Sequence, residues 1–347
     1  MITSSETENP PDLGPKVKVI PLWKPDDPLS ILRIVFEVLK LKPDIVHYNL
    51  HLAVFGRSRL ANIVGLSLPF LTRLLGFRVV TTLHNLPEAI RTEVVGLEKN
   101  LINRIGLTLG AKLASSAHAL VVLMRSYSRI APLRYNRRTV YIPHGAWFAG
   151  NCTPLDPGAA RGYILFIGHI GPHKDIEMLI RAYRRVRRVL PDPPMLYIAG
   201  APHPNLPEAA EVLRNLEVEG VRYLGYVEDR EIPILVSGAS LIVLPYKTCT
   251  GTSGVVHLVA AFGKPIVASD LPEFRELKAE GAGIAIVPHD EEHFADKIVE
   301  LLRDPRAAEE LGERNREFAE KRRWSTVADS YVRLYLDVVA RALSPGN

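Results

Sequence analysis

Apolar and polar positions change period repeatedly along the chain. Short Val/Ile-rich runs are separated by longer stretches whose apolar residues recur every three or four positions. In the first half the short runs are 16–22, 44–49, 78–83, 119–124 and 139–143, with helical patterns near 28–41, 57–76, 97–116 and 125–133. That alternation predicts parallel βαβ units with both sheet faces covered. The rhythm breaks at NCTPLDPGAARG (151–162), rich in Pro and Gly, which reads as a linker. It then restarts, with strands predicted at 163–168, 195–200, 221–226, 241–246, 265–269 and 283–288. Helices are expected near 174–190, 207–219, 229–238, 253–262, 272–280 and 291–302, and an amphipathic helix over 324–343 closes the chain.

Bulk properties narrow this picture without changing it. A chain of 347 residues suits two domains at roughly 100–200 residues each. The net charge of +5 and a pI near 9.1 suit a phosphate-bearing ligand or an anionic surface and demand neither. Two cysteines, Cys152 and Cys249, are too few for a disulfide framework and show no metal-ligand spacing, so a reducing compartment is expected. The opening MITSSETENPPDLGP is polar and Pro-rich, unlike a signal peptide. The most apolar helical run, 60–76, carries Arg73 and Pro69 and falls short of the roughly 20 apolar residues of a membrane span. With Arg57 and Arg59 beside it, this run has the composition of an interfacial element, and a buried core helix is the alternative.

Ligands of open α/β sheets sit beyond the carboxyl ends of the strands. In the second half YILFIG leads into HIGPHKD, where Gly168 and Gly171 permit a tight turn and Lys174 is expected at a helix start, a combination that suits phosphate. A solvated turn lysine is the plainer alternative. MLYIAG ends at Gly200, where a flat ligand can approach the backbone, and VRYLGY leads to Tyr226 and Val227, which can flank a nucleobase. LIVLPY leads into KTCTGTSGVV. There Thr252 and Ser253 can cap a helix or bond an anion, with the N–H groups of Gly254, Val255 and Val256 beside them. In the first half His84 follows RVVTTL, and His47, Asn49 and His51 lie at the end of the neighbouring strand. A histidine there can move a proton or bind a hydroxyl, or be structural.

Taken together, FIGHIGPHKDIEMLIRAY, MLYIAG, YLGYVEDREIPILVSGASLIVLPY and TSGVVHLVAAFGKPIVASD resemble the donor-binding domain of GT-B glycosyltransferases of family 4. The resemblance implies an α/β GT-B fold: two Rossmann-like doubly wound domains across a cleft, with the last helix crossing back. The implied boundaries are an acceptor-binding domain over 1–155, a donor-binding domain over 156–322 and the helix over 323–347. It implies transfer of a hexose from a UDP-, GDP- or ADP-sugar to a sugar or lipid-linked hydroxyl, with retention, no metal and no cofactor beyond the co-substrate. Gly168, His169, Lys174, Gly200, Tyr226, Val227, Thr250, Thr252, Ser253, Gly254 and Val255 would hold the donor, His84 would be catalytic, and His47, Asn49 and Asn85 would meet the acceptor. A cytoplasmic location, with peripheral contact at the cytoplasmic membrane face, and no nucleic-acid partner are expected.

Two departures bear on this. The family's Glu-x7-Glu positions fall on Thr250 and Leu258, neither acidic, and His169 stands where the family has a phosphate-binding arginine. A family variant with SG before an apolar helix resembles TSGVVHL. Judged against the family, roughly the first 50 residues are expected to be missing or remodelled, leaving a sheet edge for a partner chain to cover. The alternative reading is therefore a non-catalytic GT-B subunit that binds a sugar nucleotide or a partner protein.

Overall fold

The computed structural model describes residues 1–6, 13–89, 101–148, 162–202 and 218–343. The described residues before His144 and those from Ala328 on form one compact unit, and His144–Val327 forms a second. The unit boundary thus lies before the linker expected at 151–162, of which 151–161 fall outside the described residues.

The first unit carries two parallel sheets. Strands β1 (Ile2–Ser4) and β2 (Ile20–Trp23) pair with each other. Strands β3 (Val46–Leu50), β4 (Val79–Leu83), β5 (Ala119–Val122) and β6 (Thr139–Tyr141) follow in that spatial order. β1 lies in the opening stretch read as polar and Pro-rich, and the run expected at 16–22 is extended only from Ile20. β3 pairs with β4 on one side, and its other edge carries no strand among the described residues. Helices α1 (Pro28–Leu41), α2 (Arg59–Leu74), α3 (Leu101–Ala114) and α4 (Arg125–Arg134) alternate with these strands.

Local chemistry sets their ends. Asp27 caps α1 by accepting from Leu29 and Ser30 N–H, with Pro28 at the first helical position. Ser58 caps α2. Gly65 of α2 lies against the Phe55 ring, where a Cβ would collide, and Gly110 of α3 receives Leu66.

The second unit is a six-stranded parallel sheet. Its strands are β7 (Tyr163–Ile167), β8 (Leu196–Ala199), β9 (Val221–Gly225), β10 (Ala239–Leu244), β11 (Ile266–Ser269) and β12 (Ile284–Val287), in the spatial order β12-β11-β10-β7-β8-β9. β7, YILFI, is buried along its whole length, as a strand covered on both faces must be. The helices are α5 (Ile176–Val189), α6 (Ile232–Gly238), α7 (Gly254–Val259), α8 (Pro272–Ala279), α9 (Glu291–Arg303) and α10 (Pro305–Glu320). Most of the helix expected at 207–219 lies outside the described residues. The final helix, α11, spans Trp324–Leu343.

Among the described residues no helix is long and apolar enough to cross a membrane.

Candidate functional site

In the second unit the chain runs β7, β8, β9 outward in one direction and β10, β11, β12 in the other. The topological switch point therefore lies between β7 and β10. The loops leaving their carboxyl ends flank the crevice where open α/β sheets take ligands.

Glycine lets these strand ends close up. Gly168 has φ +132° and Gly200 φ +145°, and a Cβ on Gly200 would collide with the Gly168 carbonyl oxygen. The Gly168 N–H donates to Ala199 O, and Gly200 N–H to Gly225 O. A Cβ on Gly168 would stand 3.2 Å from Val255 Cγ2, so the loops after β7 and β10 are in contact distance.

Lys174 is not at the start of α5. It ends a 3-10 turn, Pro172–Lys174, and Asp175 follows in the left-handed region (φ 41°), capping α5 through Met178 N–H. The Lys174 Nζ lies 3.3 Å from the Tyr246 ring centroid, and burial lowers its pKa to about 8. Asp175 holds this loop in place. It accepts from Lys247 Nζ at 3.1 Å and His289 Nε2 at 2.9 Å, and the other His289 nitrogen bonds Ser269 Oγ at 2.9 Å. Although desolvation opposes it, the bonds to His289 and Lys247 hold the Asp175 carboxyl below its ordinary pKa. The order Ser269–His289–Asp175 is that of a hydrolase triad, but Ser269 is fully buried and cannot reach a substrate.

The loop after β10 differs from expectation in one respect. α7 has six residues, and the Ser253 side chain makes no capping bond to it. An anion here would meet the loop's own groups more than a long helix dipole. Thr252 is half-buried, and its hydroxyl bonds His257 Nε2 at 2.8 Å. Thr250 is half-buried and Gly254 exposed, while Leu258 packs against the core in place of the family's acid. Besides Asp175, which bonds Lys247, a carboxylate near this loop is Glu273 of α8. After desolvation, it is the next cause raising the Cys249 thiol to about 11. His169 and Tyr226 are exposed, and Val227 packs against the core.

In the first unit His84 follows β4. Its backbone N–H donates to Leu50 O, and its Nε2–H donates to Asn49 Oδ1 at 2.7 Å. His84 and Asn49 thus form a pair at adjacent strand ends. Asn85 turns away from that pair and accepts from Leu52 N–H at 3.1 Å. Both ring nitrogens of His47 are occupied, Nε2 by Thr82 Oγ1 at 2.9 Å and Nδ1 by Tyr335 of α11 at 2.6 Å. His47 is exposed as a residue, yet protein surrounds its imidazole, and desolvation lowers its pKa to about 4. The ring thus links β3, β4 and α11.

Among the described residues no group of three His, Cys, Asp or Glu is placed to hold a metal ion.

This architecture has counterparts. The structure matches sucrose-phosphate synthase from Thermosynechococcus elongatus with a TM-score of 0.74 at 20% identity, covering 98% of this chain and 89% of that one. The fold is that of the GT-B glycosyltransferases. Residues 161–304 match the model of the family Glycosyl transferases group 1.

Curated relatives carry glycosyltransferase names. The phosphatidyl-myo-inositol mannosyltransferase of Mycobacterium leprae is 31% identical over 50% of this chain and 46% of its own. The O-antigen chain mannosyltransferase B of Escherichia coli is 26% identical over 65% and 62%. The matched stretches thus span from about half to three fifths of these relatives.

Proposed function

We propose that this protein transfers a hexosyl group from a nucleotide-diphosphate sugar to a hydroxyl of a glycolipid or polysaccharide precursor. The observation that carries the reading is the pair of loops at the switch point of the second unit. Gly168 and Val255 bring them together, and Lys174 is held at their base. The diphosphate would lie on this pair, its charge met by Lys174 and by hydroxyl and backbone donors of Thr252–Gly254. In the transfer the anomeric C–O bond to the diphosphate breaks, a bond to the acceptor oxygen forms, the nucleotide diphosphate leaves with the electron pair, and the acceptor hydroxyl gives up its proton. We assign His84, oriented by Asn49, to that proton or to a sugar hydroxyl. Relatives named mannosyltransferases support mannose as the sugar and a lipid-linked acceptor. Retention, independence of metal and peripheral attachment to a membrane belong to the same proposal, as does a partner chain along the edge of β3 that pairs with no strand among the described residues.

A second reading, a subunit that binds the nucleotide sugar without transferring it, is favoured by Leu258 packing into the core where the family has an acid. A thermal-shift series with UDP-, GDP- and ADP-sugars tests the shared premise. One nucleotide series should raise the melting temperature, since a ligand that binds only the folded state stabilises it. No shift with any of them removes both readings.

A further inference from the structure

His257 is a buried polar group that the donor reading leaves without a part. It lies on α7 and is 1% exposed. Its ring stacks on His144 at 4.8 Å and on Phe318 at 5.5 Å between centroids, and its carbonyl accepts from Trp147 N–H at 3.1 Å. Nε2 reaches Thr252 Oγ1 at 2.8 Å, whereas Nδ1 is buried with no hydrogen-bond partner among the described residues. Burial first, then the neighbouring His144 and Arg322, lower its pKa well below the ordinary value, so the ring is neutral.

A neutral imidazole has two tautomers, and this environment separates them. If Nδ1 carried the hydrogen, the Thr252 hydroxyl would have to donate to Nε2, and a buried N–H would be left with no acceptor. If Nε2 carries it, Nε2–H donates to Thr252 Oγ1 and only a lone pair on Nδ1 is orphaned. An orphaned buried donor is the rarer and costlier outcome. The choice matters to an anion. A hydroxyl that has spent its hydrogen on His257 shows a phosphate only lone pairs, whereas one that accepts from His257 keeps its hydrogen to give.

We propose that His257 is a positioning residue: as the Nε2–H tautomer it fixes Thr252 as a hydrogen-bond donor to a phosphate oxygen of the nucleotide diphosphate. This rests on the donor reading above. Thr252 is half-buried and lies two residues before α7, whose Val255 adjoins Gly168, and on this proposal its remaining hydrogen goes to a phosphate at the switch-point crevice.

Two measurements on the full chain test it. Long-range ¹H–¹⁵N correlation of the histidine rings, assigned by loss of one ring in His257→Phe, reads the tautomer without any ligand. The Nε2–H form is expected, and the Nδ1–H form overturns the proposal whatever the protein binds. Calorimetry with UDP and GDP then reads the consequence. Thr252→Val should weaken the better nucleotide about tenfold, the scale of one hydrogen bond to a charged group, and Thr252→Ser should restore it. His257→Phe should weaken it comparably, and the double variant His257→Phe/Thr252→Val no further than Thr252→Val alone. Should His257→Phe not fold, the His257 ring is assigned instead by the shift of its Nε2 in Thr252→Val, and the two Thr252 variants and the tautomer still decide. Additive losses in the double variant, or an unchanged affinity in Thr252→Val, overturn the proposal. A wild type that binds neither of these nucleotides, nor ADP, overturns the donor reading and the role given to the Thr252 hydrogen. It is told apart from failure of the positioning argument by the tautomer.

Discussion

At the scale of residues, the account turns on Lys174 and His84. Lys174 is desolvated against Tyr246, and its pKa falls from an ordinary 10.5 to about 8. A lysine whose folded pKa is depressed costs stability while charged. The cost is full below about 8 and fades as pH rises from there toward the unfolded value. Such a residue is kept for something other than stability. Lys174→Met should leave the melting temperature at pH 7 unchanged or raise it, while weakening nucleotide-diphosphate affinity at least about tenfold. Wild-type affinity should hold steady below about pH 8 and decline above it, and the variant should lose that decline. Calorimetry across pH beside melting curves checks both. His84→Ala should lower turnover by about a hundredfold with little change in donor affinity, because the diphosphate is assigned to the second unit. Steady-state kinetics beside a melting curve separates this from a structural histidine, whose loss would reduce stability and leave activity per folded molecule intact.

At the scale of elements, α3 carries exposed Leu101, Ile102, Ile105 and Leu109 on one face with Lys112 among them. Its neighbour α2 adds exposed Leu60 and Leu74. The apolar exposure expected over 57–76 is thus shared between two helices, because α2 spends Ala61, Gly65, Leu66 and Leu68 on the core. An apolar face with basic residues suits an anionic bilayer surface. Flotation with anionic liposomes at low salt should recover the protein, and Ile105→Asp should abolish recovery.

Elements also show what could be read beforehand. Strands buried on both faces announce themselves as apolar runs, and each one expected in the second half is present within a residue or two. α10 escaped notice because its long polar faces bury only Gly312, Asn315, Phe318 and Ala319, too narrow a stripe to stand out. β1 escaped because three residues give no period. Glu273 and the Asp175–His289 bond were hidden for a different reason: they join residues far apart in sequence, and no spacing encodes that.

At the scale of the whole molecule, the GT-B fold and the group 1 match over 161–304 frame the proposal, which puts the nucleotide sugar at the switch point of the second unit. The switch point was foreseeable only in part. The sequence shows six strands but not that their order reverses between β7 and β10, which long-range pairing decides. The most direct measurement is a transfer assay with the full chain, radiolabelled GDP-mannose, UDP-glucose and ADP-glucose in turn, and a lipid extract as acceptor. Label recovered in the lipid fraction and free nucleotide diphosphate are followed together. The account predicts that one donor labels lipid in step with release of its nucleotide diphosphate, and that His84→Ala suppresses both. A donor that binds tightly yet never yields labelled product or free nucleotide diphosphate would contradict it and leave a protein that holds the nucleotide sugar without transferring it.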